Sequence, residues 1–164
     1  MTIIGIDPGA SGALCFTNSE EQDIHTHKCH KLISGRRLTV SMALNAYKSK
    51  KAIVYIEKVH AMPHDGRSSL FKFGVNYGAW LGILNSVKGI NKIVEVSPQK
   101  WMKFWEEKNN FKLPKEKKDR KNALKDIASI FIQPKKATLW SADSILITMY
   151  GRHQEKESNN DNRR

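Results

Sequence analysis

Thr2-Ile3-Ile4-Gly5-Ile6-Asp7-Pro8-Gly9-Ala10-Ser11-Gly12 is an apolar run that ends on a carboxylate and breaks at once into a glycine-rich turn. A short Ile-rich run bounded by Pro and Gly reads as a buried strand. A carboxylate at the tip of such a strand is costly to desolvate without a partner, and a bound cation is the simplest partner. The pattern recurs in Ala52-Ile53-Val54-Tyr55-Ile56-Glu57. A third acid, Asp143, lies in Trp140-Ser141-Ala142-Asp143-Ser144-Ile145-Leu146, which reads as an apolar helix. Two acids on strand ends and one on a helix, in a chain of net charge +12, point to a metal-dependent enzyme acting on a polyanion.

The remaining elements fall into place around these runs. Residues 13–17 read as a second strand after the Gly9/Gly12 turn, and Asp23 to Leu32 as a loosely alternating third. Leu38 to Tyr47 has helical spacing. Residues 52–57 form a fourth strand, buried on both faces because the run is continuously apolar. A loop over 63–68 leads into a helix from Ser68 or Ser69 to about Val87, with Phe71, Gly74, Gly78, Leu81 and Gly82 near one face. Exposed glycines would cost such a helix about 1 kcal/mol each relative to alanine, which packing against another backbone would justify. Ile93 to Val96 reads as a fifth strand, followed by helices over 98–105, 118–131 and 138–151. The expectation is one α/β domain over residues 1–151 and a frayed polar tail over 152–164.

The 164 residues suit one domain with a real core, and a hydrophobic content of 40% supports it. With 28 Lys+Arg against 16 Asp+Glu and a pI near 9.8, the surface favours nucleic acid or an anionic membrane. No run of eighteen apolar residues offers a membrane span, and the N-terminus lacks the basic and apolar regions of a secretory signal. Two cysteines, Cys15 and Cys29, make no disulfide framework, so a reduced cytoplasmic setting is expected. The charge is concentrated: twelve Lys/Arg and five Asp/Glu lie between Lys88 and Lys125.

Phosphodiester hydrolysis by two metals needs oxygen ligands converging on ions about 4 Å apart. Mg²⁺ prefers carboxylates, waters and phosphate oxygens. Asp7, Glu57 and Asp143 supply the right donor type, although any one acid at a strand end is more often a turn or cap residue. His25, His27 and Cys29 alternate along a strand, yet their spacing matches no closed zinc motif, and a half-exposed strand is the default. Trp80, Trp101, Phe104 and Trp105 read as core or interface.

The ordered set Ile4-Gly5-Ile6-Asp7-Pro8-Gly9, Ser11-Gly12, Ile56-Glu57, Lys72-Phe73-Gly74 through Gly82, Val96-Ser97-Pro98 and Ala142-Asp143-Ser144 resembles the RuvC-type Holliday-junction resolvases over residues 2–151. The small size and divergent last motif resemble phage or viral members, which implies a bacterial host cytoplasm for a phage-encoded chain. The resemblance implies an RNase H-like mixed five-stranded sheet flanked by helices. It also implies a homodimer that cuts four-way DNA junctions by paired symmetric nicks, with Mg²⁺ (Mn²⁺ substituting) at two ions per site. Asp7, Glu57 and Asp143 match the family's metal-binding acids. A fourth acid or histidine usually stands three residues before the last one. Here that position is Trp140, so water, Ser141 or another acid would have to fill the gap.

The resemblance also implies that basic residues near Lys118 and Lys121 approach the scissile phosphate, and that an aromatic in the loop after Glu57 stacks at the junction centre. His60 is the positional match, with Met62 beside it. Arg67, Lys72, Lys100, Lys103, Lys112, Lys115, Lys117, Lys118, Arg120 and Lys121 are the expected DNA contacts, phosphate neutralisation supplying most non-specific affinity. The helix of Phe71 to Leu84 is the expected dimer surface, since two cuts in strands of like polarity call for a two-fold pair of sites. Two other readings compete. A non-catalytic junction-binding module would suit Trp140. An actin-like phosphate-binding ATPase domain would suit the Asp7-Pro8-Gly9 turn but lacks a second such turn.

Overall fold

The computed structural model describes residues 1–18, 23–47, 51–58 and 66–161. Five strands, β1 (Thr2–Ile6), β2 (Ala13–Asn18), β3 (Ile24–Lys28), β4 (Ala52–Glu57) and β5 (Ile90–Val96), form one sheet in the order β3-β2-β1-β4-β5. The first three are antiparallel; β1, β4 and β5 run parallel. Five helices flank it: α1 (Ile33–Ala46), α2 (Arg67–Ser86), α3 (Pro98–Lys108), α4 (Lys117–Ile130) and α5 (Ala142–Asp161). This is the RNase H-like mixed sheet that the sequence leads one to expect. Among the described residues no helix is long and apolar enough to cross a membrane.

Alternation along the central strands divides the core in two. Ile3, Ile53 and Tyr55 face a layer made by α3, α4 and α5, with Trp101, Trp105, Leu124, Ile145 and Leu146 buried there. Ile4, Ile6, Val54 and Ile56 face α1 and α2, where Trp80 and Leu84 are buried. Both faces of β1 and β4 are covered, which is why their sequences read as unbroken apolar runs. Gly5 sets how closely α5 approaches: a Cβ there would lie 2.7 Å from the Ser144 carbonyl oxygen and collide with Thr148. Thr148 Oγ1–H lies within hydrogen-bonding distance of two carbonyls, Ser144 O at 2.7 Å and Cys15 O at 3.2 Å, tying the helix to the sheet.

Several elements differ from their sequence reading. The third strand stops at Lys28, and α1 already begins at Ile33, ahead of the apolar periodicity that starts at Leu38. Its first turn is fixed by a polar side chain instead: Arg36 Nε–H donates to His30 O at 2.7 Å, and its guanidinium lies over the Trp80 ring, 5.3 Å from the centroid. β5 starts three residues early because pairing with β4 extends to Ile90. The final helix starts at Ala142 and does not stop at Gly151. Residues 152–161, expected to fray, continue α5 to Asp161. The extension is held to the sheet by Glu155, which accepts from the Tyr55 hydroxyl (2.8 Å) and pairs with Lys92 (3.0 Å).

Candidate active site

β1 and β4 pair in parallel with Ile6 opposite Ile56, so Asp7 and Glu57 leave neighbouring strands at equivalent positions. Adjacent strands lie about 4.8 Å apart. By the same alternation, both acids point to the face covered by α5. Asp143 stands in the first turn of α5, one residue before the Ser144 carbonyl that rests against Gly5. The two strand tips and the start of the helix thus meet at one end of the sheet.

The turn after β1 holds Asp7 in place. Asp7 Oδ1 accepts from Gly9 N–H at 2.9 Å, and Gly12 N–H closes the turn on Gly9 O at 2.9 Å. A Cβ on Gly12 would lie 2.8 Å from the Asp7 carboxyl carbon, so the return strand passes beside the acid only because residue 12 has none. Asn76 of α2 donates to Pro8 O, and the Cys29 thiol donates to Asp7 O at 3.5 Å. Glu57 is held from the other side. Trp101 Nε1–H, on α3, donates to Glu57 Oε2 at 2.9 Å. α3 is placed there by Ser97, whose hydroxyl oxygen accepts from Lys100 N–H, and by Pro98 in its first turn.

The three carboxylates act on one another. Burial pushes Glu57 up to about 8, and the charges of Asp7 and Asp143 add to the rise, against the Trp101 hydrogen bond and the Lys121 charge. Burial and Asp7 raise Asp143 to about 6, opposed by Lys121 and Arg120. Asp7 is also raised by burial, partly offset by the Gly9 N–H and Lys121. Three clustered acids that resist ionisation, with one lysine answering all three, form a site short of positive charge. Oxygen donors of this kind suit Mg²⁺ or Mn²⁺. Among the described residues no three His, Cys, Asp or Glu side chains are gathered tightly enough to hold an ion as they stand. The donors fit a hard divalent cation in chemistry and charge without forming a closed cage.

The other expected residues divide clearly. Lys121, exposed on α4, lies close enough for its charge to favour ionisation of all three acids, and Arg120 beside it acts on Asp143 while its Nη1–H donates to Lys115 O at 2.8 Å. Lys118 is exposed one turn earlier on α4. Lys100, Lys103, Lys112, Lys115 and Lys117 are exposed on α3 and the approach to α4, with Lys103 near Glu107 at 3.7 Å. Lys72 lines an open groove of about 480 Å³ beside Ala10, Cys29 and Asn76, next to the Asp7 turn. Arg67 begins α2. His60 and Met62 lie outside the described residues. Trp140 stands in the turn before α5, half-buried. The Ser141 hydroxyl is engaged with Thr138, 3.0 Å from its N–H and 2.9 Å from its hydroxyl, and so is committed to the turn. His25 and His27 stack on the Phe16 ring at 5.1 and 5.8 Å, while Cys29 lies past the strand end.

Trp101 is the site residue that sequence reasoning missed. Its apolar spacing on α3 marks it as core, which it also is, at 2% exposure. Its position four residues after the Ser97 cap on the strand next to Glu57 was the available signal.

No family model matches the sequence, and no curated protein matches it. The chain superposes on Thermus thermophilus RuvC with a TM-score of 0.57 at 15% identity, over 96% of this chain and 97% of that one. It superposes on T. thermophilus RuvC in complex with a Holliday junction substrate with a TM-score of 0.55 at 15% identity, over 95% and 96%. At this identity the likeness is one of fold.

Proposed function

We propose that this chain, which shares its fold with RuvC, is a divalent-metal-dependent endonuclease that cuts four-way and other branched DNA. The observation that carries the reading is the meeting of Asp7, Glu57 and Asp143 at one end of the sheet, opposed by Lys121. Asp7, Glu57 and Asp143 would hold the metal. Bound Mg²⁺ supplies two things here: a lowered pKa for an attacking water and stabilisation of charge on the departing oxygen. The protein's own contribution is positioning. The β1–β2 turn fixes Asp7, Trp101 fixes Glu57, and Gly5 sets the height of α5 and with it Asp143. Lys121 remains to neutralise a phosphate drawn into the site, and the exposed lysines of α3 and α4 extend a cationic track for the strand.

The dimer expected from the sequence has support in α2. Phe71 and Val75 are 74% and 57% exposed, and among the described residues a Cβ added at Gly74, Gly78 or Gly82 would meet nothing within 4 Å. Among the described residues no backbone packs on these glycines, so this face has room for a second copy of the chain. Two-fold pairing would present two sites to strands of like polarity.

The test is incubation with a synthetic four-way junction and a linear duplex, with and without Mg²⁺. Paired symmetric nicks in the junction, dependent on Mg²⁺, are expected. The second reading, junction capture without cleavage, is favoured by Trp140 at the position of the usual fourth acid. Binding with no nicks in Mg²⁺ or Mn²⁺ would establish it instead.

A further inference from the structure

We propose that Trp101 is the positioning residue of the metal-binding acid Glu57, an inference that rests on the metal-dependent reading above. A half-buried carboxylate under the influence of two others needs a donor to fix its rotamer. The usual donors, Arg and Lys, carry a charge that competes with an incoming cation for the same oxygens. The indole N–H is neutral. At 2.9 Å from Oε2 it takes up one oxygen, and among the described residues Oε1 accepts no hydrogen bond, so the group is fixed without being discharged. The ring itself is locked: Trp101 is 2% exposed in the core of the α3–α4–α5 layer, on a helix capped by Ser97 and opened by Pro98. The indole thereby fixes one oxygen of Glu57 at its strand tip and leaves the charge that Glu57 gains on losing its proton for an incoming cation. A core tryptophan in this place does two jobs, and only the second depends on its nitrogen.

Trp101→Phe keeps an aromatic ring and removes the N–H. Mg²⁺ affinity measured by calorimetry should fall about tenfold or more, the size usual for losing an outer partner of a metal ligand. Junction cutting by the variant should recover at high Mg²⁺ rather than remain low at every concentration. The Trp101 indole ¹H–¹⁵N resonance in the wild type gives an independent readout. It should shift on adding Mg²⁺ and, without metal, in Glu57→Gln. Unchanged Mg²⁺ affinity in a folded Trp101→Phe, or an indole resonance that ignores Mg²⁺ in the wild type, overturns the assignment while leaving the nuclease reading intact. Absence of Mg²⁺ binding by the wild-type protein defeats both.

Discussion

Asp7 is the residue on which the proposed chemistry turns, because its carboxylate adds to the rise of both other acids while its own hydrogen bond comes from the β1–β2 turn. Asp7→Asn keeps the shape and removes the charge. Junction binding in a gel-shift assay should persist, and the cutting rate should drop about a hundredfold or more, as loss of a preorganised electrostatic group does. Nicking at the wild-type rate would remove Asp7 from the machinery. Lys118→Ala with Lys121→Ala should weaken junction binding and flatten its dependence on salt by up to about two phosphate contacts. An unchanged slope takes both lysines off the DNA. At this scale the places of the three acids, at two strand ends and on the last helix, could be read from sequence because each interrupts an apolar run, a local signal. Lys121 could not be separated from Lys118, because the two share one face of α4 and differ only in position along the helix, which is set by how far α4 extends past the acids. Trp101 escaped for a related reason: burial explains a tryptophan so completely that a hydrogen bond from its one polar atom leaves no further trace in the pattern.

Elements hold the site through a few close contacts. Gly5→Ala would push a methyl group against the Ser144 carbonyl and Thr148, and overpacking of this kind costs about 1–3 kcal/mol. Thermal melting should fall by several degrees, and cutting should fall further than stability alone accounts for, since Asp143 rides on the displaced helix. A variant with wild-type melting and activity would show that α5 can shift freely. The strands and most helices were legible in outline from periodicity and from Gly, Pro and Ser punctuation. Their ends were less so. α1 starts early because Arg36 reaches back to His30 and lies over the distant Trp80 ring, and α5 ends late because Glu155 reaches Tyr55 and Lys92, far away in the chain. Composition marked residues 152–161 as a tail, and composition carries no information about one well-placed glutamate.

The protein as a body stores at one end of its sheet the cost of burying three acids, to which their mutual repulsion adds. Glu57 at about 8 and Asp143 at about 6 keep protons that the unfolded chain has already released at the same pH. The folded state therefore binds more protons between the ordinary carboxylate range and about pH 8, and stability declines as pH rises across that window, levelling off above it. Melting of the metal-free protein should show this decline. Glu57→Gln should flatten it and raise Tm at pH 8 by about 3 °C or more, the shift that ~1 kcal/mol gives in a domain of this size. A Tm that rises steadily from pH 5 to 8 with no effect of Glu57→Gln, on the scale of ordinary carboxylate titration, would contradict the clustering of the acids. Mg²⁺ should restore more stability at pH 8 than at pH 5, where protons already do its work. On the outer face, Phe71→Glu with Val75→Glu should yield a monomer in sedimentation and turn paired cuts into single nicks. A wild-type protein that sediments as a monomer at micromolar concentration would remove the dimer.

The clamp on the far end of α5 has a practical use. From Asp143 to Ser158 the helix spans about 22 Å at 1.5 Å per residue, and Glu155 keeps that length from swinging. A fluorophore at residue 158 would therefore ride on a stiff mast rooted beside the carboxylates. Energy transfer between two such labels would act as a ruler for the proposed pair of copies on a crossed DNA, reporting the spacing of the subunits rather than the flutter of a chain end.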